Sequence, residues 1–90
     1  MDKEKAVITV SGKDRKGILA AAATEVAKAG GNIVNVSQSV MDGIFHMAMI
    51  IEIDELNVRL VDLQENIVNE LPEMQIHVMH EDIFNALHTI

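Results

Sequence analysis

The sequence predicts an α+β fold: a four-stranded antiparallel sheet with two helices on one face, plus a short C-terminal helix. Three observations carry that expectation. Runs of β-branched and other apolar residues alternate with segments whose apolar positions recur every three or four residues. A Gly-Gly pair, an Asp-Gly pair and the single proline stand where those segments should stop. The resulting order is strand, helix, strand, hairpin turn, strand, helix, strand, which is the ferredoxin-like βαββαβ sandwich. Ninety residues suit one domain, 1-90, with a modest core.

Ala6 to Ser11 reads as the first strand. From Lys16 to Ala29 the apolar positions Ile18, Ala22, Val26 and Ala29 step by four, four and three, the spacing of a helix face. Asp14 is placed to cap or charge-stabilise its first turn, and Gly30-Gly31 to stop it. Asn32 to Met41 follows as a strand, Asp42-Gly43 is a two-residue hairpin signal, and Ile44 to Ile53 returns. Asp54 is expected to cap a second helix with Leu56, Leu60, Leu63, Ile67 and Leu71 on one face, and Pro72 to end it. Met74 to Met79 forms the fourth strand. A tail helix at about 82-88 carries Ile83, Leu87 and Ile90 on one side.

The third strand is apolar on both sides. Phe45, Met47, Met49, Ile51 and Ile53 share one face, while Ile44, Ala48 and Ile50 share the other with His46 and Glu52. A solvated sheet face alternates with polar residues, so the second face is expected to be covered by a second copy of the chain. Apolar residues at 49 per cent of the sequence point the same way. Most of the methionines, at 41, 47, 49, 74 and 79, are read as core or dimer filling.

Composition excludes several classes. The net charge is −7, and with two Phe, no Tyr and no Trp there is no stacking platform, so no nucleic-acid partner is expected. There is no cysteine, hence no disulfide framework or thiolate metal site. No run of about 18 apolar residues occurs, so no membrane partner is expected and the chain reads as soluble and cytoplasmic.

The charge is unevenly placed. Lys3, Lys5, Lys13, Arg15, Lys16 and Lys28 are six of the seven basic residues, and from Ala29 onward Arg59 stands against ten carboxylates. Three of the six lie in the segment Gly12-Lys13-Asp14-Arg15-Lys16-Gly17-Ile18, between the first strand and the first helix. A loop there faces the unpaired N–H groups and positive dipole end of the helix, which favour an anion or carboxylate. The loop reads as a small cationic mouth on an acidic body.

The loop motif, the Ala-rich helix after it and Gly30-Gly31-Asn32-Ile33 together resemble the ACT domain. The resemblance covers essentially the whole chain and is nearest to small ACT proteins related to the glycine cleavage system transcriptional repressor. It implies a non-catalytic regulatory module that binds an amino acid or related metabolite where two copies meet, and that acts on a regulated protein. Carried over residue by residue, Asp14, Gly17 and Ile18 match the loop motif, and Asn32 and Ile33 the later segment. Lys13, Arg15 and Lys16 occupy more variable positions; Lys13 and Arg15 join the expected ligand-binding set on charge alone. No cofactor is implied.

Other readings fare less well. His77 and His80, three apart on a strand, point to opposite faces, and His46 lies on another strand, so no metal site is expected. Gly12 and Gly17 are spaced as in a phosphate loop, but Ile18-Leu19 replaces the required Lys-Ser/Thr. Acylphosphatases share the fold, and Arg15 with Asn32 or Asn35 would imitate their Arg and Asn pair. Such a hydrolase and a ligand-free interaction module stand as the alternatives to a sensor.

Overall fold

Strand β1 (Lys5–Lys13) leads into helix α1 (Ile18–Lys28), then β2 (Asn32–Met41) and β3 (Ile44–Glu52). Helix α2 (Leu60–Glu70), β4 (Gln75–His80) and α3 (Glu81–Leu87) follow, in a computed structural model that describes residues 3–88. The four strands form one antiparallel sheet in the order β2-β3-β1-β4, with β2 and β4 at its edges. This is the expected α+β arrangement.

Alternation in the strands makes the core. Ala6, Ile8 and Val10 of β1, Phe45, Met47, Met49 and Ile51 of β3, and Ile76 of β4 pack against α1 and α2. The α1 face supplies Ile18, Ala22 and Val26, and α2 supplies Leu63 and Ile67, with Leu71 just beyond. Each buried Ile or Leu contributes about 1.5–3 kcal/mol relative to an exposed one. Met47, Met49 and Met74 fill this core, while Met41 is 68 per cent exposed.

Asp42 and Gly43 both take positive φ, 55° and 79°, as a twist-matched two-residue hairpin requires. Helix α1 ends in a left-handed Gly30 (φ 85°), with the Gly31 N–H reaching back to the Val26 carbonyl at 3.0 Å.

Two helix starts differ from expectation. Asp14 does not cap α1: Gly17, at φ 86°, turns the chain into the helix, and the Asp14 N–H donates instead to the Gly43 carbonyl at 3.0 Å. Asp54 does not cap α2, which begins at Leu60. The segment before it is drawn across to the end of α1, where Asn57 donates to the Ala29 and Lys28 carbonyls at 2.9 and 3.1 Å. Leu56 therefore packs on the core from a turn rather than from the helix. Asp62 closes the helix start, accepting from the Arg59 N–H at 3.3 Å and from its guanidinium at 3.0 and 3.2 Å.

The second sheet face, expected from β3 to be apolar enough to need covering by a second copy, is mostly polar once its neighbouring strands are added. Its rows run Gln75, Ser11, His46, Ser39 and then His77, Thr9, Ala48, Ser37, which are polar but for Ala48. The larger apolar residues sit at the ends, Met41 with Ile44 beside the hairpin and Met79, Val7 and Ile50 at the opposite corner. Helix α3 touches β1 and β4 and neither other helix, which lays it over that corner, where Val7 is 4 per cent exposed. Ile83 and Leu87 of α3 remain exposed; Ile90 lies outside the described residues.

Candidate functional site

Because β1 and β2 both run antiparallel to β3, they run parallel to each other. The loop at the end of β1 therefore sits beside the end of β2, not its start. Between them lies a pocket of about 420 Å³. Asp14, Arg15, Gly17, Ile18 and Leu19 form its loop wall; Gln38, Ser39 and Val40 of β2 and Phe45 of β3 form the other. The first helical bond of α1 runs from the Ala21 N–H to the Gly17 carbonyl at 3.0 Å. The amides of Ile18, Leu19 and Ala20 thus have no partner within the helix, and no acidic residue stands in its first turn. Free amides, a positive dipole end and the apolar side chains of Ile18, Leu19, Val40 and Phe45 suit a small ligand with a carboxylate at one end.

The structure brings together four of the expected ligand residues, Asp14, Arg15, Gly17 and Ile18. Lys13 closes β1 beside them but does not line the pocket. Asn32 and Ile33 are at the other end of β2, roughly 30 Å along the strand at about 3.4 Å per residue. There the Asn32 amide donates to Glu52 at 2.8 Å, in an acidic cleft of about 230 Å³ shared with Lys3, Asp54 and Glu55. No single chain presents Asn32 and the loop to one ligand. Gln38, Ser39, Val40 and Phe45 were legible only through strand direction, once the Asp42-Gly43 hairpin fixes where β2 ends.

Charge at the mouth is smaller than its three cations suggest. The Arg15 guanidinium bonds Glu73 at 2.5 Å and the Lys16 carbonyl at 2.8 Å. That hydrogen bond holds the Glu73 carboxyl below the usual carboxylate range. Asn32 and Asn35 lie toward the far end of β2, so the Arg and Asn pair of an acylphosphatase does not assemble in the chain. A further depression, about 360 Å³, lies on the open face around His46, Ser37 and Ser39. It offers hydroxyls but no free helix amides.

The sandwich and its loop pocket define a small ferredoxin-like domain, and comparison with known proteins says which family it belongs to. The model of the ACT domain matches residues 4–80. A UPF0237 protein of Listeria innocua is 39% identical over 88 residues, covering 96% of this chain and 99% of that protein. An ACT domain protein from Streptococcus pneumoniae superposes with a TM-score of 0.75 at 32% identity, over 92% of this chain and 96% of that one. A glycine cleavage system transcriptional repressor shares the fold, with a TM-score of 0.72 at 22% identity, over 89% of this chain and 47% of that one. The chain belongs to the ACT domain family, whose members are regulatory ligand-binding modules. Among the described residues no helix is long and apolar enough to cross a membrane.

Proposed function

We propose that this protein is a non-catalytic cytoplasmic sensor of an amino acid or related metabolite, bound in the loop pocket at the interface of a homodimer. The observation that carries the reading is the set of free amides at the start of α1, opening into a pocket with apolar walls. The ligand carboxylate meets those amides, and Ile18 and Val40 hold its apolar part.

The dimer supplies what one chain lacks. Strand β2 is an edge of ten residues with Val34, Val40 and Met41 exposed on it, an unpaired template for another strand. Two copies pairing β2 antiparallel about a two-fold axis set Asn32 of one against Met41 of the other. The partner's Asn32 then stands at the loop and hydrogen-bonds the ligand's polar group, with Ile33 beside it. A stable pair of this kind buries at least roughly 1,200 Å² in total. The occupied or empty dimer would then bind a regulated protein.

A thermal-shift screen of the common amino acids and related metabolites tests the reading. Ligand at 100 times its dissociation constant stabilises the folded state by about 2.7 kcal/mol, a rise of several degrees. One or a few compounds should give that rise, and Asn32→Ala should remove it. Flat curves at millimolar concentration would favour the interaction module instead, for which the exposed Ile83 and Leu87 of α3 speak.

A further inference from the structure

His80 joins three parts of the molecule with one ring. It is the last residue of β4 and the N-cap of α3, so no loop separates strand from helix. Its Nε2 pairs with the Glu4 carboxylate, on the segment leading into β1. Its Nδ1 accepts a hydrogen bond from the Asp82 backbone N–H at 3.1 Å, and the Asp82 carboxylate stands 3.6 Å from the same nitrogen. An imidazole that accepts at Nδ1 and donates at Nε2 is neutral. Gaining a proton turns Nδ1 into a donor that faces another donor.

We propose that His80 is a proton-operated pin, which in its neutral form caps α3 and in its charged form exchanges that cap for a bond to the Asp82 carboxylate. On protonation the Glu4 contact, already charge-assisted from the carboxylate side, becomes a full ion pair and the β1–β4 corner tightens. The Asp82 N–H loses its acceptor, and the first turn of α3 loosens over Val7 and Met79. Acid therefore locks the sheet corner and frees the helix that covers it. The charged groups acting on the ring come from two elements, Glu4 before β1 and Glu81 with Asp82 on α3. On β1 it is Ala6 that pairs with His80, Lys5 being set against Glu52. Helix α2, which also packs on β4, presents the uncharged Gln64 to the Val78 N–H at 2.8 Å. The Glu4 hydrogen bond, then the fields of Asp82, Glu4 and Glu81, raise the imidazole above its ordinary value, with desolvation acting against them.

The pin is read by NMR of the full chain between about pH 5 and 8.5, a range that brackets an ordinary imidazole. The imidazole nitrogens should show the Nε2–H tautomer at the alkaline end. The Asp82 amide shift should titrate with the His80 midpoint, and its hydrogen-exchange protection should fall several-fold as the ring charges. Glu4→Gln should lower that midpoint, and His80→Asn, which caps without titrating, should leave the Asp82 amide flat. An Asp82 amide that does not move across the His80 titration overturns the proposal, as does an unchanged midpoint in Glu4→Gln. Both of those readings stand even if His80→Asn fails to fold.

Discussion

The two ends of β2 carry opposite chemistry. At the Val40 end the strand borders free helix amides and the apolar walls of a pocket. At the Asn32 end it borders Glu52, Asp54 and Glu55, and the Asn32 amide is held by a carboxylate. One end suits an anion and the other disfavours one, though a single ten-residue strand joins them. A residue of the second end can serve a ligand at the first only if another chain carries it there. The contrast makes the proposed site a property of two copies and turns it into an experiment.

The largest expected effect comes from mixing two inactive variants. Gly17 sits at φ 86°, where a β-branched side chain costs about 1–3 kcal/mol, yet an added Cβ meets only the Arg15 Nη1 at 3.8 Å. Gly17→Val should therefore keep the fold while disturbing the loop, and should abolish the thermal response to ligand. Asn32→Ala should abolish it from the other end. Refolded together, the two chains form mixed dimers with one intact site, so about a quarter of all sites should recover. No recovery in the mixture, when neither variant binds alone, would overturn a site shared between two chains, and wild-type binding by Asn32→Ala alone would remove Asn32 from the site.

A smaller effect is expected at the edge itself. Val34, 44 per cent exposed beside the break in register between Ile33 and Asn35, lies on the pairing edge and away from the loop pocket. Val34→Lys should weaken dimerisation at least tenfold by light scattering or sedimentation, since charge on an edge opposes strand pairing. The melting temperature of the dissociated chain should change little, because surface substitutions shift stability by about 0.5 kcal/mol or less. An unaltered dimer would move the interface to another face of the sheet.

Periodicity made the fold legible, and it failed where tertiary contacts intervene. Ile18, Ala22 and Val26, and then Leu63, Ile67 and Leu71, declare their faces because burial repeats at the helical period. Leu56 keeps the same spacing but is held in a turn by Asn57's bonds to the end of α1, a contact reaching 29 positions back that no local pattern contains. The loop half of the site was visible as glycines and charge. Its wall at Gln38 to Val40 was not, since those residues acquire a role only from strand direction. Nor was the pairing of Arg15 with Glu73, whose partner lies 58 positions away.

That pair supplies the smallest expected effect and sharpens the electrostatic half of the contrast. With Glu73 ionised, Arg15 is turned toward the β4 side of the loop and its charge is offset there. Glu73→Gln should free it and strengthen binding of the sensed carboxylate severalfold, with little change in stability, because an exposed ion pair is screened by water and contributes little. The pH dependence has a definite sign. The Glu73 carboxyl titrates lower in the folded chain than in the unfolded one, because of Arg15, so the pair's stabilisation is complete above the ordinary carboxylate range. It is lost as pH falls through the depressed value. In wild type the melting temperature should therefore fall slightly more steeply below about pH 4.3 than in Glu73→Gln, the reference value for a glutamate. Matching acid limbs in the two proteins, or unchanged affinity in the variant, would mean that Arg15 takes no part in drawing the anion to this end of β2.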